Sequence, residues 1–346
     1  MKKNLIKVIL GADIFLLIFA GLNLNLLLQR ADLPKEYKAS INSFTFDVNN
    51  IHTGRKILEF DGKPITKVGL LDFYLLHHKK YDTVKIKSEF NEQIIETSIV
   101  LPPKYSWIDL TILVLVALFY FFTGIYILLK FRYTAFAYVI HMVTIFTGVM
   151  IIFDWGDILT YNKIIHFFLF LLFEFGIFLV PTLFLHFGFT YPESKSKFKF
   201  VLLVPFYFAS AAFMIISLFN LISIFFMGND VKQTYFIEFH TYVADLFLII
   251  GLILTIAKLE NSALTINDRV YRKKIYWALL GISFGPLIYV FMMLMPRLIL
   301  GYELVSELLM QFTIIIAPIM LLVSVSLKKQ NNSEWNSGNK LMSSAS

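Results

Sequence analysis

Residues 164–189, IIHFFLFLLFEFGIFLVPTLFLHFGF, hold a single formal charge, Glu174, in twenty-six positions. A bilayer's hydrocarbon core is about 30 Å thick and takes about 20 apolar residues in helix, so this run reads as a membrane span. Seven further runs of the same kind lie outward from it, at Leu5 to Leu28, Trp107 to Leu129, Ala135 to Phe153, Phe200 to Met227, Thr241 to Ala257, Ile275 to Met295 and Leu308 to Leu327. The expected fold is a mainly α membrane protein, an eight-helix transmembrane bundle carrying one small α+β extracytoplasmic domain.

Composition agrees with this division. Of 346 residues 58% are hydrophobic and only 16% charged, and the mean hydropathy is +0.70, so the lipid bilayer is the chain's first partner. The chain has no cysteine, which removes disulfides, thiolate catalysis and thiolate metal or redox sites. None of the seven histidines falls in an HxxxH or HExxH spacing, no carboxylate pair or Ser-His-Asp set stands out, and no metal, cofactor or enzyme site is expected.

The net charge of +7 is resolved by position. With the N-terminus cytoplasmic, sixteen Lys and Arg fall on the cytoplasmic side, against Lys163, Lys232 and Arg297 in the short outer loops. That asymmetry is the positive-inside pattern, and it puts both termini in the cytoplasm and the protein in an inner membrane. Nucleic acid is not needed to explain the basic residues. The chain then divides into a retained N-terminal anchor (1–29), an extracytoplasmic domain (30–104), a seven-helix remainder of the bundle (105–329) and a disordered tail (330–346).

Within 30–104, Lys56 to Phe60 reads as a strand, Asp61-Gly62 as a tight turn and Lys63 to Ile65 as the return. Val68, Leu71, Leu75 and Leu76 recur at helical spacing, Thr83 to Phe90 alternates as a strand, and Asn91-Glu92 turns into a last strand from Gln93 to Val100. The phrase Ile57-Leu58-Glu59-Phe60-Asp61-Gly62-Lys63-Pro64-Ile65 resembles the core of bacterial PDZ domains. That resemblance implies a module able to take an extended peptide as an added strand, held by a carboxylate loop. No clear loop of that kind stands in Asn42 to Asn50, and Gly54-Arg55-Lys56 replaces the usual Gly-Asp, so a PDZ-shaped spacer that binds no peptide is an equal alternative.

Three membrane-proximal segments extend the likeness: His186 to Glu193, Arg269 to Gly281, and Ile316-Ala317-Pro318-Ile319. In order and sidedness they are similar to signatures of ComP-type bacterial sensor histidine kinases, in which a PDZ-like segment follows the first helix of a multi-pass region. The resemblance implies the sensory half of such a receptor. The residues after Leu327 hold no histidine and no nucleotide loop, so a separate cytoplasmic kinase or regulator is the expected partner. A PDZ-type scaffold or envelope protease regulator, and a transporter, are the other readings. No matching halves with broken helices appear to favour the last.

Each acid inside a span is a functional candidate, because an ionised group there costs about 2.5–3.5 kcal/mol. Asp13 and Asp109 read as lying near helix ends, where their side chains reach water. Glu174 sits near the midplane with His141 of the preceding span at similar depth, and Asp245 lies within reach if its helix is a neighbour. Glu174, His141 and Asp245 are therefore the candidate ligand-binding set. The alternative for Glu174 is a hydrogen bond made for packing alone.

Overall fold

The computed structural model describes residues 2–34, 37, 56–65, 70–75, 77–90, 92–131, 134–153, 163–191, 199–227, 236, 239–300, 305 and 307–327. Asn42 to Asn50, Gly54-Arg55, the first turn of the expected helix at Lys67-Val68, Asn91, Pro192-Glu193 and the tail at 330–346 lie outside them.

Helix α1 (Lys2–Leu27) leads into a four-stranded antiparallel sheet, formed by β1 (Lys56–Phe60), β2 (Lys63–Pro64), β3 (Thr83–Phe90) and β4 (Gln93–Val100) in the order β2-β1-β3-β4. The β1–β2 turn needs left-handed backbone at both central residues, and Asp61 (φ 48°) and Gly62 (φ 77°) supply it. Ile57 and Phe60 of β1 join Val84 and Ile86 of β3, and a short helix α2 (Leu70–Leu75) closes this face with Leu71 and Leu75. Ala31, Leu33 and Tyr37 from the chain leaving α1 complete the core. The strands form as read, within a residue, while the helix, expected from Lys67 to His78, is described over Leu70–Leu75 and has ended by His77; the assignment to the PDZ fold remains a matter of resemblance.

The domain is tied to the helices that flank it by backbone pairing. Arg30 bridges Lys79 and Ala31 bridges Pro103, Asp32 N–H donates to Pro102 O at 2.9 Å, and Lys104 N–H donates to Arg30 O at 2.9 Å. The outgoing end of α1 and the approach to the next helix are thus one short ladder, and neither strand of it moves without the other.

The remaining helices are α3 (Trp107–Lys130), α4 (Ala135–Ile152), α5 (Lys163–Thr190), α6 (Lys199–Met227), α7 (Asp245–Thr265, preceded by a π turn at His240–Ala244), α8 (Arg269–Phe284), α9 (Pro286–Tyr289), α10 (Met295–Leu300), α11 (Glu307–Ile314) and α12 (Ile316–Ser326). Seven helices are long and apolar enough to cross a membrane, as a multi-pass membrane protein requires. The expected eighth span, Leu308 to Leu327, is instead two shorter helices meeting at Ile315. Pro318 accounts for the break: it has no N–H for the carbonyl four residues back, Ile314 O, and its ring crowds that carbonyl. Buried Tyr120 of α3 repairs the loss by donating its hydroxyl to Ile314 O at 2.8 Å.

Helix α5 is the centre of the bundle. In its most apolar stretch 72% of residues are buried, against 11% in α1 and 17% in α6, which face lipid over most of their surface. Close approach to α7 depends on Gly251, where a Cβ would stand 2.7 Å from Pro181 Cβ and 2.9 Å from Pro181 O. Within one turn of Pro181, inside the continuous helix α5, Ser210 Oγ of α6 donates to Phe178 O at 2.8 Å, again a neighbour's hydroxyl at a carbonyl near a proline.

Candidate intramembrane polar site

Inside the bundle Glu174 and His141 meet different partners. Glu174 on α5 is 1% exposed, and Ser217 Oγ on α6 donates to its Oε2 at 2.7 Å. This hydrogen bond ties the central helix to a peripheral one, which is the packing alternative for that residue. Asp245 opens α7, directly after the π turn, and is buried. Ser217 was not legible as a partner, since a lone serine in an apolar run carries no directional signal.

His141 on α4 meets a different acid from the one expected. Its Nε2 lies 3.4 Å from Oδ1 of Asp13 on α1, and the two side chains are 1% and 5% exposed. The reading of Asp13 as a water-reaching residue near a helix end is therefore corrected. The helix starts at Lys2 and runs to Leu27, so Asp13 is close to its middle, and its side chain is too short to reach either interface. Asp109 does behave as an end residue. It completes a capping box with Ser106, in which Asp109 N–H donates to Ser106 Oγ at 3.2 Å and Ser106 N–H donates to Asp109 Oδ2 at 2.7 Å.

The surroundings of the Asp13–His141 pair are tight. Gly124 of α3 sits where any Cβ would lie 3.3 Å from His141 Nδ1 and would collide with the Thr144 hydroxyl. Thr144 Oγ1 is turned to its own helix, donating to Ile140 O at 3.0 Å and His141 O at 2.9 Å. Among the described residues Asp13 Oδ2 and both ring nitrogens of His141 have no hydrogen-bond partner. A buried polar atom left in this state is costly in hydrocarbon, so the site is built to be answered by charge or by a proton.

Asp13 belongs to a narrow stripe of α1. Asp13, Ala20, Asn23 and Leu27 are the buried positions of that helix, and their spacing of three, four and seven marks one seam. Asn23 Nδ2 donates to Ile152 O at 2.6 Å, a carbonyl freed by the end of α4. Two polar side chains thus dock an otherwise lipid-facing helix.

At the end of the bundle away from the sheet domain, a second polar chain joins three helices. The Tyr191 hydroxyl, just past α5, meets Ser324 of α12, and Ser324 Oγ donates to the Lys274 carbonyl of α8 at 2.5 Å. Asp268 caps α8 through the N–H of Val270 at 2.8 Å. His186, near the same end of α5, shares a hydrogen bond of 2.7 Å with the Tyr207 hydroxyl of α6. Among the described residues no group of three His, Asp or Glu is placed to hold a metal ion.

The sheet domain reaches the opposite end of α5. Tyr74 of α2 packs against the domain core and also against a cluster built from Phe167, Phe170 and Leu171 of α5, Leu221, Ile224 and Phe225 of α6, and Phe236. No family model, no characterised protein and no solved structure matches the chain.

Proposed function

We propose that this protein is a sensory relay of an inner membrane, receiving a signal at its PDZ-like extracytoplasmic domain and passing a helix displacement to a signalling partner in the cytoplasm. The observation that carries this reading is Tyr74, whose ring belongs at once to the domain core and to the phenylalanine cluster at the near end of α5 and α6. From Phe167 in that cluster helix α5 runs to Tyr191, 24 residues on and ~36 Å away. Its far end is bonded through Ser324 to α8 and α12. A rigid, mostly buried rod held at both ends carries a displacement, where a mobile tether would not. The charge asymmetry of the loops supports the sidedness, and the likeness to ComP-type receptors supports the class of partner, a kinase or response regulator.

The test places a photo-crosslinking residue at Tyr276, a half-exposed position on α8 near the basic end, in full-length protein in its native membrane. Capture of a signalling protein whose yield changes in Tyr74→Asp is the expected result. A partner captured equally by wild type and by a folded Tyr74→Asp protein would mean that the bundle anchors the domain without relaying from it.

A further inference from the structure

We propose that two copies of this chain pair through the free edge of β4, joining their sheets into one across a two-fold axis at Thr97. This inference stands on the geometry of the sheet and does not depend on the sensory reading.

Strand β4 ends the order β2-β1-β3-β4, and among the described residues no strand pairs its outer side. The register decides which of its residues point outward. Leu101 N–H donates to Asp82 O at 2.9 Å, and Asp61 N–H donates to Lys85 O at 2.7 Å. With Thr83 opposite Val100, the backbone groups of Gln93, Ile95, Thr97 and Ile99 therefore turn to β3, and those of Ile94, Glu96, Ser98 and Val100 turn to the outside. The free stretch ends there, since the next outward carbonyl, Pro102 O, is taken by Asp32 N–H at 2.9 Å. An uncovered strand edge of this length is a template for a further strand.

The side chains say which strand fits. Ile94 and Val100 are 63% and 56% exposed, with exposed Glu96 and Ser98 between them on the same face. A second β4 laid antiparallel about Thr97 sets Ile94 against Val100 twice and Glu96 against Ser98 twice, so every outward residue of each copy finds a partner. Each such pair exchanges two hydrogen bonds, and the aliphatic pairs add contact across the strands. The neighbouring registers in the same phase, centred on Glu96 or on Ser98, leave one outward residue of each copy unpaired. The first also puts Glu96 against itself, and the second puts Glu96 against Val100. Glu92 (φ 64°) turns each chain back toward its own β3 just where the other copy's Asp32 takes over the edge.

The membrane accommodates this axis. A two-fold between antiparallel strands of one sheet stands perpendicular to the sheet. Helix α2 covers one face of the sheet, and its Tyr74 also packs on the ends of α5 and α6. That face therefore looks to the bundle, and the axis runs along the membrane normal, as a dimer within one bilayer needs. Confinement to the same bilayer also raises the concentration of one edge around another.

The native chain has no cysteine, so one introduced thiol reports one position. Full-length Thr97→Cys protein in its native membrane is treated with copper phenanthroline as oxidant. Residues facing each other at a non-hydrogen-bonded position stand about 4.5 Å apart at Cα, within disulfide range, so a linked dimer is expected. Ser98→Cys is expected to stay monomeric, because its counterpart is offset by two residues and lies about 8 Å away. Added to Thr97→Cys, Ser98→Pro removes an outward N–H and no bond to β3, and should abolish the linked dimer. Ile94→Lys, which sets a charge against Val100 of the other copy, should do the same, so that failure of one variant to fold does not stall the test. Equal linkage of Thr97→Cys and Ser98→Cys, linkage that survives in either folded variant, or a Thr97→Cys chain that stays monomeric or links only to a different protein, overturns the proposal.

Discussion

Removal of the Tyr120 hydroxyl tests how the bundle tolerates a proline in its last helical segment. Tyr120→Phe leaves Ile314 O without the donor now 2.8 Å away, and Pro318 ensures that the helix supplies no replacement. A stranded buried carbonyl costs about 1–3 kcal/mol in proteins generally, while single hydrogen bonds between membrane helices average about 0.6 kcal/mol. Because this carbonyl has lost its intrahelical donor, the larger range applies, and a loss of about 1.5 kcal/mol is expected. In a Pro318→Ala background the restored N–H satisfies the same carbonyl, so Tyr120→Phe then costs only about 0.5 kcal/mol. The cycle should show a coupling of about 1 kcal/mol, measured by reversible unfolding in mixed detergent micelles or by steric trapping. Additive effects, within about 0.3 kcal/mol, would refute the repair of the proline break by Tyr120.

Gly251→Ala should lose about 1–3 kcal/mol in the same assay, because its Cβ meets Pro181 backbone atoms, whereas Gly11→Ala and Gly21→Ala, which meet nothing within 4 Å, should be neutral or mildly stabilising. In the sheet domain the Glu59 carboxylate, 2.9 Å from Lys87 Nζ, raises the Lys87 ammonium above its ordinary value through a hydrogen bond and direct attraction. A raised folded value means that the contribution is complete below the unfolded lysine range and is lost only as pH climbs through the folded value. Nitrogen NMR titration of Lys87 should show its midpoint falling to the ordinary range in Glu59→Gln. An unchanged midpoint would remove Glu59 as the cause.

Hydropathy made most of the helices legible, because length and apolarity alone decide whether a segment spans. The sheet was readable for equally local reasons. Asp61-Gly62 demands a left-handed turn, and the alternation from Thr83 to Val100 fixes β3 and β4 to the residue. What sequence order does not encode is which helices meet. Glu174 and His141 lie in consecutive spans and invited pairing, yet His141 turns to Asp13, some 128 positions earlier in the chain. A signal for this was present in α1: Asp13 and Asn23 sit on the same seam as Ala20 and Leu27, a pattern visible once the helix is counted from Lys2. The split of the last span at Ile315 was also written in Pro318. Its repair by Tyr120 was not, because the donor comes from a helix almost two hundred residues away.

In the proposed relay the sheet domain and the far end of the bundle move together. Spin labels at Phe200 and Leu264, both exposed near the end opposite the domain, measure the spacing of α6 and α7 around α5 in the full chain. Tyr74→Asp, which unseats the domain from α5 and α6, is expected to shift this distance distribution, while Tyr81→Asn, at an exposed residue outside both clusters, leaves it unchanged. An identical distribution in wild type and in Tyr74→Asp would contradict the relay.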